Sequence, residues 1–222
     1  MRVSLVTVLA LVFCIATPVV AQEWTEYVNQ EDRFSTVFPG EPQVTETTYM
    51  SQFGAELSAR VYSAEVGQNQ YTVTVVDYSP IEAILTKKAE ACPAGAETCR
   101  GGSGAPGNST GPGYSKADRQ GALIYATWRF MERDATVTHL LWSNINNVEG
   151  HQIQLTNNAD QSRTFAGVFM HVGKLYIAEG TVRAGYPAPD FFRISLAFLD
   201  EDGDSLRYLS YYRDGFPVPH LR

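Results

Sequence analysis

The sequence predicts an α+β fold: a mainly antiparallel β-sheet laid out as a meander, with two packed helices, in a single domain over residues 22–222. Three observations lead to it. Runs rich in β-branched and aromatic residues follow one another through connections too short for crossovers, so neighbouring strands must pair as hairpins. Two segments, "SPIEAILTKKAEAC" and "PAPDFFRISLAFL", switch to an apolar spacing of about 3.6 residues. A run poor in core-forming side chains, Arg100 to Gly113, divides the β-rich sequence in two.

A leader precedes the fold. Arg2 gives a positive start, "VSLVTVLALVFCIATPVV" an apolar core, and Val19-Val20-Ala21 small or short-branched residues at a cleavage point. Residues 1–21 are therefore expected to be a secretory signal peptide, cut after Ala21. The fold then opens with "RFSTVFPGEP", a short strand ended by Pro39-Gly40. "VTETTYMS" and "AELSARVYSAEVG" follow as strands, the second with Leu57, Ala59 and Val61 on one face. "QYTVTVVDY" is the densest in strand formers. Next comes the first helix, with Ser79 as N-cap, Pro80 at the first helical position, Glu82 closing a capping box, and Ile81, Ile84, Leu85 and Cys92 on one face. Residues 100–114 are expected to form a flexible glycine-rich loop.

Beyond it, "ALIYATWRFMER" is expected as a strand, turning at Arg133-Asp134 into "ATVTHLLWSN". "HQIQLTN" is a shorter strand, and "TFAGVFMHVGKLYIAEGTV" a hairpin turning near Gly173-Lys174. The second helix carries a stripe of Phe191, Ile194 and Phe198. "DEDGD" ends it, and "LRYLSYYRD" supplies a last edge strand.

The segments "RFSTVFPGEP", "YTVTVVDYSP" and "GKLYIAEGTVRAGYPAPDFFRISLAFL" resemble the element ends of small secreted bacterial proteins with a PsbP/Mog1-like α/β sandwich. The resemblance covers most of the chain after the leader. It implies that fold and a bacterial envelope setting, and carries over no functional residue. The glycine-rich insertion departs from the family's compact pattern.

Composition narrows the function. A formal net charge of −7, one unit more negative without Arg2, argues against nucleic acid or an anionic membrane surface as partner. After the leader no stretch reaches the roughly 20 apolar residues of a membrane helix. With Cys14 removed, Cys92 and Cys99 remain, six residues between them, and an oxidising compartment would join them as a structural disulfide. Neither a redox C-x-x-C nor a zinc-ligand spacing is present.

No local catalytic signature stands out. "GGSGA" around Ser103 lacks the final glycine of a nucleophile elbow. His139 and His171 sit in strands and are expected to be partly buried sheet residues, and His220 to be solvated. Asp200, Glu201, Asp202 and Asp204 fail the EF-hand spacing and suit an Asp-Gly turn instead. Tyr208, Tyr211, Tyr212, Trp128 and Trp142 could line a ligand groove, because flat rings offer area with a polar handle.

The expectation is a secreted or periplasmic, non-catalytic binding or interaction module of the cell envelope, with no cofactor and no metal, partnered by an envelope protein or a small ligand. A hydrolase whose residues converge only in three dimensions is one alternative. It would need His139 or His171 beside a serine and a carboxylate. A small-ligand or carbohydrate binder using the aromatic residues is the other.

Overall fold

The structure, a computed structural model, describes residues 23–91, 112–215 and 219–221. The expected signal peptide, the expected Cys92–Cys99 disulfide and the glycine-rich residues 100–111 lie outside them. Twofold alternation shapes the centre of the molecule. In β4 (Glu56–Val66), Leu57 and Ala59 are buried on one face and Tyr62 and Ala64 on the other, so the strand is covered from both sides. The same holds for β5 (Asn69–Asp77), β8 (Arg163–His171) and β9 (Lys174–Val182).

With β3 (Gln43–Met50), β6 (Ala135–Ile145) and β7 (Val148–Asn157), these strands form a seven-stranded antiparallel sheet in the order β3-β4-β5-β9-β8-β7-β6. Two meanders, β3 to β5 and β6 to β9, therefore meet where β5 pairs with β9. One face carries α1 (Ile81–Glu90) and α2 (Pro112–Met131), whose Leu85, Ala122, Ala126 and Phe130 pack on Leu57, Ile153 and Val168. The other carries a small antiparallel sheet of β1 (Trp24–Asn29), β2 (Phe34–Pro39) and β10 (Ala197–Phe198), together with α3 (Asp190–Ser195). Phe34, Phe38 and Phe192 meet Tyr62, Tyr71 and Tyr176 there. Each such side chain contributes roughly 1.5–3 kcal/mol by burial.

An ion cluster clasps this small layer to the large sheet. Asp32, in the β1–β2 turn and 2 % exposed, accepts hydrogen bonds from Arg60 Nε (2.7 Å), Lys174 Nζ (2.6 Å) and Tyr62 Oη (2.6 Å). Its backbone oxygen accepts another from Tyr176 Oη at 2.8 Å.

The α+β class, the antiparallel meanders and the hairpin near Gly173 agree with the sequence reading, and several other expectations are corrected. The strand expected at "ALIYATWRFMER" is helix: Asp118, Ala122, Ala126 and Phe130 are buried at a spacing of four, which winds the run around a helix despite its strand-forming residues. Residues 112–114, assigned to the loop, belong to that helix.

The late helix is cut short at Ser195. That hydroxyl accepts a hydrogen bond from Val37 N at 2.9 Å and lies 2.8 Å from Thr36 Oγ1, so the chain docks on β2 and continues extended. The expected stripe breaks accordingly: Phe198 is buried as expected, but Phe191 and Ile194 are exposed, and Phe192 and Leu196 are buried in their place. Ser79 does not cap α1; Pro80 holds the N-cap position without a side-chain bond, and Ser79 N donates to Asp77 Oδ1. The fold opens one strand earlier than expected, at β1, and the C-terminal tyrosine segment yields only the two-residue β11 (Arg207–Tyr208), paired with β12 (His220–Leu221).

Candidate functional site

The spacing that builds α2 also builds the site. One step round the helix from its buried ladder stand Arg119, Leu123 and Thr127, again four residues apart, facing the sheet beyond β8. On that sheet face Trp142 of β6 stands directly opposite His151 of β7, and Glu149 pairs in register with Asn144 at the strand's start. Met170 of β8 adds an apolar patch. A C-terminal arm, residues 206–215, runs across the end of this space and brings in Arg213 and Asp214. The arm is fixed by its backbone: Tyr212 N donates to Asn147 O at 2.7 Å and Tyr208 N to Asn146 O at 3.1 Å. The result is a cleft of about 500 Å³ between α2, the β6–β7 edge and the arm. That volume is within the range of small-molecule sites.

Its walls differ in chemistry. Leu123, Ile124, Met170 and the half-exposed Trp142 are apolar. Thr127 and His151 form a polar pair at the back: Thr127 Oγ1 donates to Leu123 O at 2.8 Å and lies 2.9 Å from His151 Nδ1. Burial holds the imidazole below its usual pKa, against a weaker upward pull from Glu149.

The charged residues are paired among themselves. Arg119 Nε bonds Asp214 Oδ2, which keeps the guanidinium pKa raised. Asp214 Oδ1 also accepts from Gly173 N at 2.9 Å and from Tyr212 Oη at 3.1 Å. Arg213 Nε bonds Glu149 Oε2 at 2.8 Å, an exposed pair that contributes little to stability.

The aromatic residues singled out in the sequence separate into three groups. Trp142 lines the cleft, and Tyr211 packs edge-on against it with ring centroids 5.0 Å apart. Tyr208 and Tyr212 are buried behind the arm, stacked on each other at 4.5 Å; Tyr208 Oη lies 2.8 Å from His171 Nε2, and Tyr212 Oη accepts from Val172 N at 3.0 Å. They hold the arm and offer no groove surface. Trp128 is not brought to them; it flanks a shallow hollow with Gln52, Gly121 and Tyr125 on the outer side of α2.

The histidines sort themselves equally clearly. His171 is fully buried, with burial pushing its pKa down to about 4. His139, expected to be partly buried, is exposed on the edge strand β6, because no further strand covers that side. Its imidazole and that of His171 show no bond to a serine or a carboxylate among the described residues. The acidic run forms a turn, with Asp200 Oδ1 accepting from Asp202 N and Asp204 N, both at 2.9 Å, and Gly203 at φ 91°.

The sequence reading passed over His151, Thr127, Arg119 and Asp214. A signal for two of them existed: once residues 112–131 are helical, Arg119 and Thr127 fall on one face with Leu123 between them. Among the described residues, no helix is long and apolar enough to cross a membrane, and no group of three His, Cys, Asp or Glu side chains could hold a metal ion. No family model matches the chain and no curated protein matches it.

Proposed function

We propose that this chain is a non-catalytic binding protein of the secreted or periplasmic space, and that it takes a small ligand with a planar apolar body in the cleft between α2, β6–β7 and the C-terminal arm. One observation carries the reading: Trp142 and His151 face the same preformed space from paired strand positions, with Leu123, Ile124 and Met170 around them. An apolar enclosure with few convergent polar groups is the usual build of a ligand site. The leader over residues 1–21 and the resemblance to secreted bacterial proteins with a PsbP/Mog1-like sandwich support the envelope setting. The balanced charges at the rim favour a neutral ligand over a polyanion.

The test is calorimetric titration of the purified protein with a panel of small aromatic compounds, beside Trp142→Ala. Trp142 is 49 % exposed, so its removal opens the cleft without a core cavity. Binding by the wild type that weakens tenfold or more in the variant is expected. No binding across the panel, or equal binding by both proteins, would end the proposal.

A further inference from the structure

We propose that the ligand of this cleft presents a hydrogen-bond donor, a phenolic or alcoholic hydroxyl, to Nε2 of His151. The inference rests on the cleft being a ligand site and adds the chemistry of the group it selects. It follows from the direction of two hydrogen bonds. Thr127 Oγ1 lies 2.8 Å from the carbonyl oxygen of Leu123, which can only accept, so the hydroxyl's single hydrogen points there. Thr127 Oγ1 then has only lone pairs to offer His151 Nδ1, 2.9 Å away. The hydrogen of that second bond must come from the imidazole, which fixes the neutral ring as the Nδ1–H tautomer. Nε2 is left bare, an acceptor, on a residue that lines the cleft.

Buried surroundings favour the neutral ring. The cations that could recruit an anion are each engaged: Arg119 with Asp214 on one side, Arg213 with Glu149 on the other. A carboxylate would set its own lone pairs against Nε2, whereas a hydroxyl would satisfy it. A ligand that covered this acceptor without giving it a partner would lose affinity, and this gives the site its selectivity.

Two probes of one shape separate the outcomes. p-Cresol and 4-methylanisole share a planar apolar body and differ in whether the oxygen carries a hydrogen. Wild-type protein should bind p-cresol about tenfold more tightly, the span of one good hydrogen bond. His151→Phe should hold the two with equal affinity. Independently of any ligand, nitrogen chemical shifts of the His151 ring near neutral pH should show Nδ1 protonated and Nε2 bare. Equal wild-type affinity for both probes, or a ring protonated at Nε2, overturns the donor inference and leaves the cleft reading standing. Failure of both probes to bind overturns the cleft reading and this inference with it.

Discussion

Val172 is the residue whose backbone asks most of its side chain. It sits at φ 45° and Gly173 at φ 73°, in the turn between β8 and β9. Two consecutive positive values make a turn of the kind that suits the twist of a hairpin and favours Asn-Gly. A β-branched residue there is strained. The chain solves the same problem differently between β6 and β7, where Asn146 and Asn147 take φ 51° and 67°. The Val172 side chain is 49 % exposed, so little apolar burial would be lost by changing it.

Val172→Asn should therefore stabilise the protein by about 1 kcal/mol, read as a higher urea midpoint. A lower midpoint would mean that the grip of Tyr212 Oη and Asp214 on this turn depends on valine itself. The turn was legible in the sequence through Gly173; its strained partner was not, because a valine between strands reads as more strand. His151 was illegible for a different reason. Its meaning comes from Thr127, 24 residues earlier on a helix that the sequence reading had assigned as strand.

At the scale of elements, legibility followed the density of strand-forming residues rather than burial, since the exposed edge strands β3 and β6 were legible too. Strands β3, β4, β5, β7, β8 and β9 announce themselves by β-branched and aromatic density. In "ALIYATWRF" that density misleads, because Ile124 and Trp128 are exposed while the small Ala122 and Ala126 make the contacts. The late helix fails in the opposite sense: the periodicity is present, but Ser195 bonds to β2 end it after six residues.

The Asp32 clasp was also hidden, since it joins a turn to strands far along the chain. Its carboxylate is held below its ordinary pKa; burial pushes the other way, and hydrogen bonds from Arg60, Lys174 and Tyr62 outweigh it. Asp32→Ala would leave Arg60 and Lys174 facing each other across a partly buried gap. A loss of about 3 kcal/mol in chemical denaturation is expected. Glu31→Ala, which removes an exposed partner of the same Arg60, should change stability by less than about 0.5 kcal/mol. Comparable losses in both variants would show that the clasp is not an inter-layer tie.

For the whole molecule, the sealed His171 ties stability to pH on the acid side. His171 is sealed between the sheet and the arm, packed on Phe198 at 4.8 Å and Tyr212 at 5.1 Å, with Nε2 bonded to Tyr208. Its folded pKa near 4 lies below the 6.5 of a free imidazole. The unfolded chain thus binds the proton more readily. The stability linked to the neutral ring is fully present above pH 6.5 and is lost as pH falls from there towards 4. Asp32 acts in a separate window below 3.8, because its pKa is depressed from that value.

Between pH 7 and pH 4.5 the wild type should lose roughly 2–3 kcal/mol more than His171→Phe, whatever the variant's stability at neutral pH. Parallel curves for the two proteins would refute the assignment.

The seam between β5 and β9 has a further consequence, one of time. It joins residues 70–77 to residues 174–181, about a hundred positions along the chain, whereas every other neighbouring pair in the large sheet is a local hairpin. Each half can zip up quickly from its own turns, and the encounter between halves is the slow event, since it must close the longest loop before it gains any contact. During synthesis the first half is complete while its partner strand has yet to be made. The bare edge of β5, with Val73, Val75 and Val76 on its two faces, must wait through that interval. A newly made chain is at its most adhesive then, and a companion that shields one β-edge during synthesis would matter more to its yield than any gain in final stability.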